Sequence, residues 1–305
     1  MKLNTFQDFP DNRLTGDTSL RQIQLVMLRL LKIFDKICQE NNLTYFLVGG
    51  GLLGAVRHKG FVPWDDDLDV LMPYEDYLKF LKLPATVFPE DVFLQTPATD
   101  KDYICPWIKL RDRFSHIDEA GGPYPYSQAA FLDIFPALNM TERQHKYRSI
   151  CTFLPPYNRN YDPIVKHLSL KSKIKNCILN CFYFFFKQII KIKPIKNKLI
   201  QFFETGSKAW EYMPPIRWNH RFPENIIFPL KKIPFEDGEF YAPNNPHEYL
   251  KIYFGDYMTP PPESERKSNH FVTEIHPIGP NPHFSALKWE DYYTKEGHPY
   301  ENRKN

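Results

Sequence analysis

The stretch VGGGLLGAVRHKGFVPWDDDLDVLM, Val48 to Met72, decides how the chain folds and what it does. An apolar strand, Thr44 to Val48, runs into Gly49, Gly50 and Gly51, and a short helix follows that ends near His58. A second strand, Leu68 to Met72, comes directly after Asp65, Asp66 and Asp67 and contains Asp69. Side chains alternate faces along a strand, so Asp67 and Asp69 point one way while Leu68 and Val70 point into a core. Like charges this close repel, so something positive must offset them. The choices are a solvated acidic turn, a structural cation site, or a catalytic metal that holds phosphates. A lone aspartate run reads as a turn more often than as a site. The glycine turn and short helix tip the balance: backbone N–H groups at a helix start accept anions, and glycine admits a close approach. An EF-hand is excluded because DDDLDVLMPYED lacks the further oxygen ligands and the spaced glutamate.

Working outward, Ser19 to Asn42 reads as a helix. Leu20, Ile23, Met27, Leu30, Phe34 and Ile37 recur at three- and four-residue steps. Ser19 with Gln22 suits a capping box, and Asn41-Asn42 a stop. Pro73 suits the first position of a helix over PYEDYLKFLKL. Residues 92–96, 107–112 and 130–135 read as further strands, and the last places Asp133 alone in an apolar run. Helices alternating with short strands argue for an α/β or α+β sheet domain over residues 1 to about 140. Residues 141–215 read as a basic, helical insertion, and 216–305 as a proline- and tyrosine-rich part wrapped over the core. With no linker or repeat between them, 1–305 reads as one folded unit.

Composition narrows the class. The chain of 305 residues is 42% hydrophobic and carries a formal charge of +3, so it can bury a core and shows no polyelectrolyte signal for nucleic acid. Its five cysteines form no CxxC pair, which disfavours disulfides and structural zinc. The N-terminal MKLNTFQDFPDNRL lacks an apolar run, so the sequence predicts no signal peptide and a reducing, cytoplasmic setting. Residues 166–203 hold nine lysines and no acid, with aromatics between, and read as a basic hairpin or a membrane-surface element.

Strand, glycine turn, short helix and an Asp-x-Asp strand 16 to 20 residues later is the layout of the nucleotidyltransferase fold. More specifically, GGGLLGAVRHKGFVPWDDDLDVLMPYEDY, WIKLRDR, FLDIFPA and PFEDGEFYAPNNPHEYLKIYFGDYM, with PP, Arg266 and His270 beyond, resemble the LicD family. Its best-known members are bacterial phosphocholine transferases, and its animal relatives include fukutin-related protein. The resemblance spans most of Leu20 to His270; the family's usual glycine-threonine is here Gly50-Gly51, and 141–215 matches no pattern.

The resemblance implies an α+β, nucleotidyltransferase-like mixed sheet with flanking helices. It also implies transfer of a phospho-alcohol or phosphonate from a CDP- or CMP-linked donor to a hydroxyl of a cell-surface or capsular glycan, with release of CMP. It implies Asp67, Asp69 and Asp133 as ligands of magnesium, or of manganese in its place, with Asp65 beside them. Asp133, a metal ligand that also serves as base, or else Asp65, accepts the hydroxyl proton. Gly49, Gly50, Gly51, Arg57, His58, Lys109 and Arg111 face the donor, while Asp256, Tyr257, Arg266 and His270 belong to the C-terminal motif. Aromatic faces such as Tyr124, Tyr126, Tyr253 and Tyr257 suit a choline head group. A lipid-linked acceptor places the enzyme at the inner face of the cell membrane. Two rivals stay open: a nucleotidyltransferase that uses an NTP and releases pyrophosphate, and a non-catalytic cation-binding protein at membranes.

Overall fold

A computed structural model describes residues 9–103, 105–119, 124–147, 193–212, 220–267 and 274–279. The fold is α+β, with a mixed sheet and several flanking helices. It begins with helix α1 (Ser19–Glu40), whose cap lies one residue earlier than the sequence suggests. The Thr18 hydroxyl, not Ser19, caps it by accepting from Arg21 N at 3.1 Å. Asn41 and the left-handed Asn42 end it, as expected. The helix buries more than one stripe: Val26, Leu31 and Ile33 are inside along with Ile23, Met27, Leu30, Phe34 and Ile37. Its surroundings explain this, since the strands Ile108–Asp112, Phe131–Thr141 and Glu274–His276 and the Arg13–Thr15 turn all pack on it.

Strand β1 (Phe46–Leu47) leads into α2 (Gly49–Arg57), which His58 closes. After the aspartates comes β2 (Asp69–Pro73), then α3 (Tyr74–Phe80). Pro73 sits at the cap of α3 rather than at its first helical position. Strands β3 (Val92–Gln95), β4 (Ile108–Asp112), β5 (His116–Asp118) and the long β6 (Phe131–Thr141) follow. The central sheet runs β1-β2-β6-β4-β3. Only the β2–β6 pair among these is parallel, with Asp69 directly opposite Asp133. On the other side of β6, Lys109 of β4 lies opposite Asp133.

The capping box of Thr141 and Gln144 starts α4 (Glu142–Lys146), and α5 (Lys193–Glu204) packs on it. Lys208–Tyr212, in the segment expected to be helical, is instead β7 and extends the sheet along the far half of β6. Most of the lysine-rich stretch, 166–192, lies outside the described residues. The proline-rich part gives β8 (Phe222–Pro223), α6 (Glu224–Ile227), the hairpin β9 (Lys231–Phe235) and β10 (Gly238–Ala242), α7 (Pro246–Phe254) and β11 (Glu274–His276). Helix α7 packs on α2, and β11 pairs with β5.

A buried ion network locks the N-terminal turn to the sheet. Arg13, fully enclosed, pairs with Asp11 and Asp112 at 2.7 Å each, and Arg29 of α1 reaches Asp91 at 2.5 Å. Arg13 also donates to the carbonyl of Pro277 at 2.7 Å, which fixes the chain just beyond β11. Burial pushes the Asp11 carboxyl up, but the guanidinium of Arg13 outweighs it and brings the pKa down to about 2.

Candidate active site

A cleft of about 660 Å³ opens where β2, β6 and β4 meet α2 on one flank and α7 with its following loop on another. Among the described residues six carboxylates (Asp65, Asp67, Asp69, Glu119, Asp133 and Asp256) line it against two cations, Arg57 and Lys109. Asp69 and Asp133 meet there because parallel pairing sets them side by side on neighbouring strands. The main-chain bond from Asp133 N to Leu68 O, 2.9 Å, fixes that register.

The glycines make room for carboxylates. A Cβ on Gly49 would lie 2.8 Å from Asp69 Oδ2, and the φ of +55° there is itself a conformation side chains rarely adopt. A Cβ on Gly50 would lie 2.0 Å from Asp65 Oδ2. The helix start expected to receive a phosphate thus has two aspartate side chains pressed against it. Gly51 serves the core instead, since its missing side chain admits Leu68 Cδ1, and it does not line the cleft.

Charge in the cluster is not balanced from within. Burial drives the Asp69 carboxyl well above its usual value, and Asp67, Asp133 and Asp65 push it further, with only Lys109 opposing. Its Oδ1 is buried and has no hydrogen-bond partner among the described residues. Asp133 is better served: Lys109 Nζ lies 2.9 Å from Oδ1, and the Trp107 indole donates to Oδ1 at 2.8 Å. Lys109 also sits 3.4 Å above the Phe131 ring, which holds the ammonium from its other side. Tyr253 of α7 lines the same wall; burial, then the charge of Asp69, lifts its hydroxyl to about 12, so it stays a proton donor.

An orphaned buried oxygen in a set of hard oxygen donors suits a divalent cation such as magnesium. Asp65, Asp66 and Asp67 also bring carboxylate oxygens within 4.8 Å of one another. Asp66 is buried and off the cleft wall, so the set that faces a ligand is Asp65, Asp67, Asp69 and Asp133.

Other expected site residues fall in several places. Arg57 lines the cleft and donates to the carbonyl of Tyr257 at 2.7 Å, tying α2 to the loop after α7 that brings Asp256 and Tyr257 in. His58 accepts from Arg57 Nε and packs edge-on to Trp64, and Arg266 lies over Trp64; both stand behind the wall. Arg111, expected to face the donor, is fully buried and bonds Gln95, the Ala129 carbonyl and Glu119. It shares the strand face of Lys109 but lies one pleat further from the cleft, opposite Phe131. His270 lies outside the described residues. Trp64, Trp107, Phe131 and Glu119 line the cleft without having been singled out in the sequence. For Trp107 a signal existed: it precedes Lys109 by two on one strand, so the two share a face.

These features place the chain in a class. The profile of the family described as LicD/FKTN/FKRP, nucleotidyltransferase domain, matches residues 42–157, a span that holds the aspartates, the glycines and Lys109. The lipopolysaccharide cholinephosphotransferase LicD of Haemophilus influenzae is 31% identical over 281 residues, covering 83% of this chain and 96% of that protein. The uncharacterized protein RP689 of Rickettsia prowazekii is 26% identical over 174 residues, 49% of this chain and 65% of that protein. The uncharacterized protein RT0683 of Rickettsia typhi is 41% identical over 59 residues, 19% of each. The chain belongs to the LicD family and is a transferase of that type. Among the described residues no helix is long and apolar enough to cross a membrane.

Proposed function

We propose that this protein is a magnesium-dependent transferase, with manganese as a substitute, built on a nucleotidyltransferase-like core. It moves a phosphocholine-like phospho-alcohol or phosphonate from a CDP- or CMP-linked donor to a hydroxyl of a cell-surface or capsular glycan and releases CMP. The relative from Haemophilus influenzae, a lipopolysaccharide cholinephosphotransferase by name, supports the transferred group and the kind of acceptor. The observation that carries the mechanism is the buried, partnerless Asp69 oxygen among three further cleft carboxylates.

Asp67, Asp69 and Asp133 would hold the metal, which when bound supplies positive charge to the donor's phosphate oxygens. The chain's residues do the rest. Lys109 and Trp107 fix the angle of Asp133 through its Oδ1. Asp133, or Asp65 on the same cleft wall, would take the acceptor proton. Arg57 offers guanidinium charge to the donor's phosphates. Transfer of this kind depends on positioning and on charge neutralisation more than on covalent catalysis.

The acceptor in this reading is lipid-linked, and the enzyme works in the cytoplasm at the inner membrane face, with no nucleic-acid partner. The described part of the basic region supports a peripheral membrane contact. Exposed Phe202 and Tyr147 sit beneath Arg143 and Lys146, a basic and aromatic surface of the kind that meets anionic lipid.

A thermal-shift panel tests the donor directly. CDP-choline, CDP-ethanolamine, CDP-glycerol, CDP-ribitol and CMP-aminoethylphosphonate are each added with and without magnesium, to the wild type and to Asp67→Asn. A donor at a hundred times its Kd adds about 2.7 kcal/mol. One donor should raise Tm only with magnesium and only in the wild type; no shift from any of the five would refute the proposed donor class.

A further inference from the structure

The two flanks of the cleft differ in charge. On the β4 side every charged group on or near the wall has an opposite partner: Lys109 pairs with Asp133, and Glu119 with Arg111 at 2.7 Å. On the α2 side, Arg57 has no carboxylate partner among the described residues. Burial, then the nearby charge of Arg266, disfavours the Arg57 cation. Arg266 donates from Nε to the Pro261 carbonyl at 2.9 Å, and its carboxylate partner among the described residues, Glu263, is 3.8 Å away and highly exposed, a contact of little strength. Trp64, next in the chain to Asp65, lines the cleft with Arg57. Its ring is backed by Arg266, 5.4 Å from the centroid, and by the edge of His58. An indole held from behind by a cation is a stacking platform for a flat aromatic ligand.

Sheet order then sets a direction. Moving across the site, α2 and Trp64 come first, then Asp69 on β2, Asp133 on β6, and Lys109 with Trp107 beside β4. From this asymmetry we infer that the donor lies across the cleft in one polarity. Its nucleoside stacks on Trp64, its diphosphate meets Arg57, and its head group points toward Trp107 and Glu119. The assignment rests on the nucleotide-linked donor proposed above and adds which residues read which end of it. The phosphorus bearing the head group is thereby set beside Asp133 and Lys109, and the departing nucleotide stays with Trp64.

Separate titrations of CMP and of phosphocholine, both with magnesium, test the polarity by calorimetry on wild type, Trp64→Leu, Trp64→Phe and Trp107→Leu, each checked for folding by circular dichroism. Loss of one base-stacking contact corresponds to about a 5- to 150-fold loss of affinity. Trp64→Leu should weaken CMP by that factor and leave phosphocholine unchanged, Trp64→Phe should keep most of the CMP affinity, and Trp107→Leu should weaken phosphocholine alone. The reverse pattern, or CMP binding indifferent to Trp64→Leu, overturns the polarity while the donor class stands. Wild type that binds phosphocholine but no CMP overturns the nucleotide-linked donor itself, and the polarity with it.

Discussion

Two groups of buried aspartates in this molecule meet opposite fates. Around Arg13, Asp11 and Asp112 each face a guanidinium at 2.7 Å, and the Asp11 carboxyl falls to about 2. In the cleft, Asp69 is surrounded by other carboxylates with one ammonium near, its pKa is driven well up, and an oxygen lacks any partner among the described residues. The first group is complete within the chain and ties the N-terminal turn to β4 and to the segment after β11. The second, on the proposed function, is completed by a ligand. Buried charge that is paired from within holds a fold together; buried charge left short is where the proposed function puts a cation and its anionic substrate.

The sharpest way to break this contrast is to neutralise one member of each group. Asp69→Asn should cost on the order of a thousandfold or more in turnover, since a ligand to the transition-state charge is lost. Its Tm should hold or rise, because repulsion is relieved; a large drop in Tm would make the cluster structural. Arg13→Ala should do the reverse. It leaves two carboxylates buried without their cation and should cost about 3–5 kcal/mol, read by urea unfolding. Residual enzyme at low temperature should still turn over.

Acid separates the groups more gently. The Asp11 pKa, about 2 when folded, lies below the 3.8 of an ordinary aspartate. Its contribution to stability, about 2 kcal/mol, is therefore fully present above pH 4 and is lost as pH falls through 2. Asp91 goes the other way, since burial outweighs Arg29 and lifts its carboxyl, so protonation there relieves a cost. Unfolding followed from pH 5 to pH 2 should show the wild type losing more stability than Asp11→Asn. Equal slopes would remove Asp11 from the account. The smallest expected effect is at Gly51. Gly51→Ala meets a leucine methyl at 2.7 Å, the end of a side chain that can shift, whereas Gly50→Ala meets the Asp65 carboxylate at 2.0 Å. Activity assays should find Gly50→Ala the more damaging of the two, although stability changes would be alike.

Much of this was legible in the sequence. That Gly49, Gly50, Asp67, Asp69 and Asp133 come together in one cleft was legible because strand alternation and an isolated acid in an apolar strand are local signals. The α1 stripe was found for the same reason, but its fuller burial depends on β11 and the N-terminal turn, which only tertiary packing brings together. Three adjacent glycines look alike in sequence; which one yields to Asp65, Asp69 or Leu68 is a matter of three-dimensional approach. Arg111 and Lys109 share a strand face, so period two could not tell the cleft residue from the one holding Glu119. Trp64 and Trp107 were lost among many aromatics, and β7 hid in a basic run whose flanks suggest helix.

The most direct test of the central claim is product analysis. The protein is incubated with CDP-choline, magnesium and a lipopolysaccharide acceptor, and nucleotide products are separated by ion-exchange chromatography. The account predicts CMP, formed with magnesium and absent with Asp69→Asn. CMP production undiminished in Asp69→Asn, or pyrophosphate release from an NTP with no CMP from any of the five donors, would contradict it.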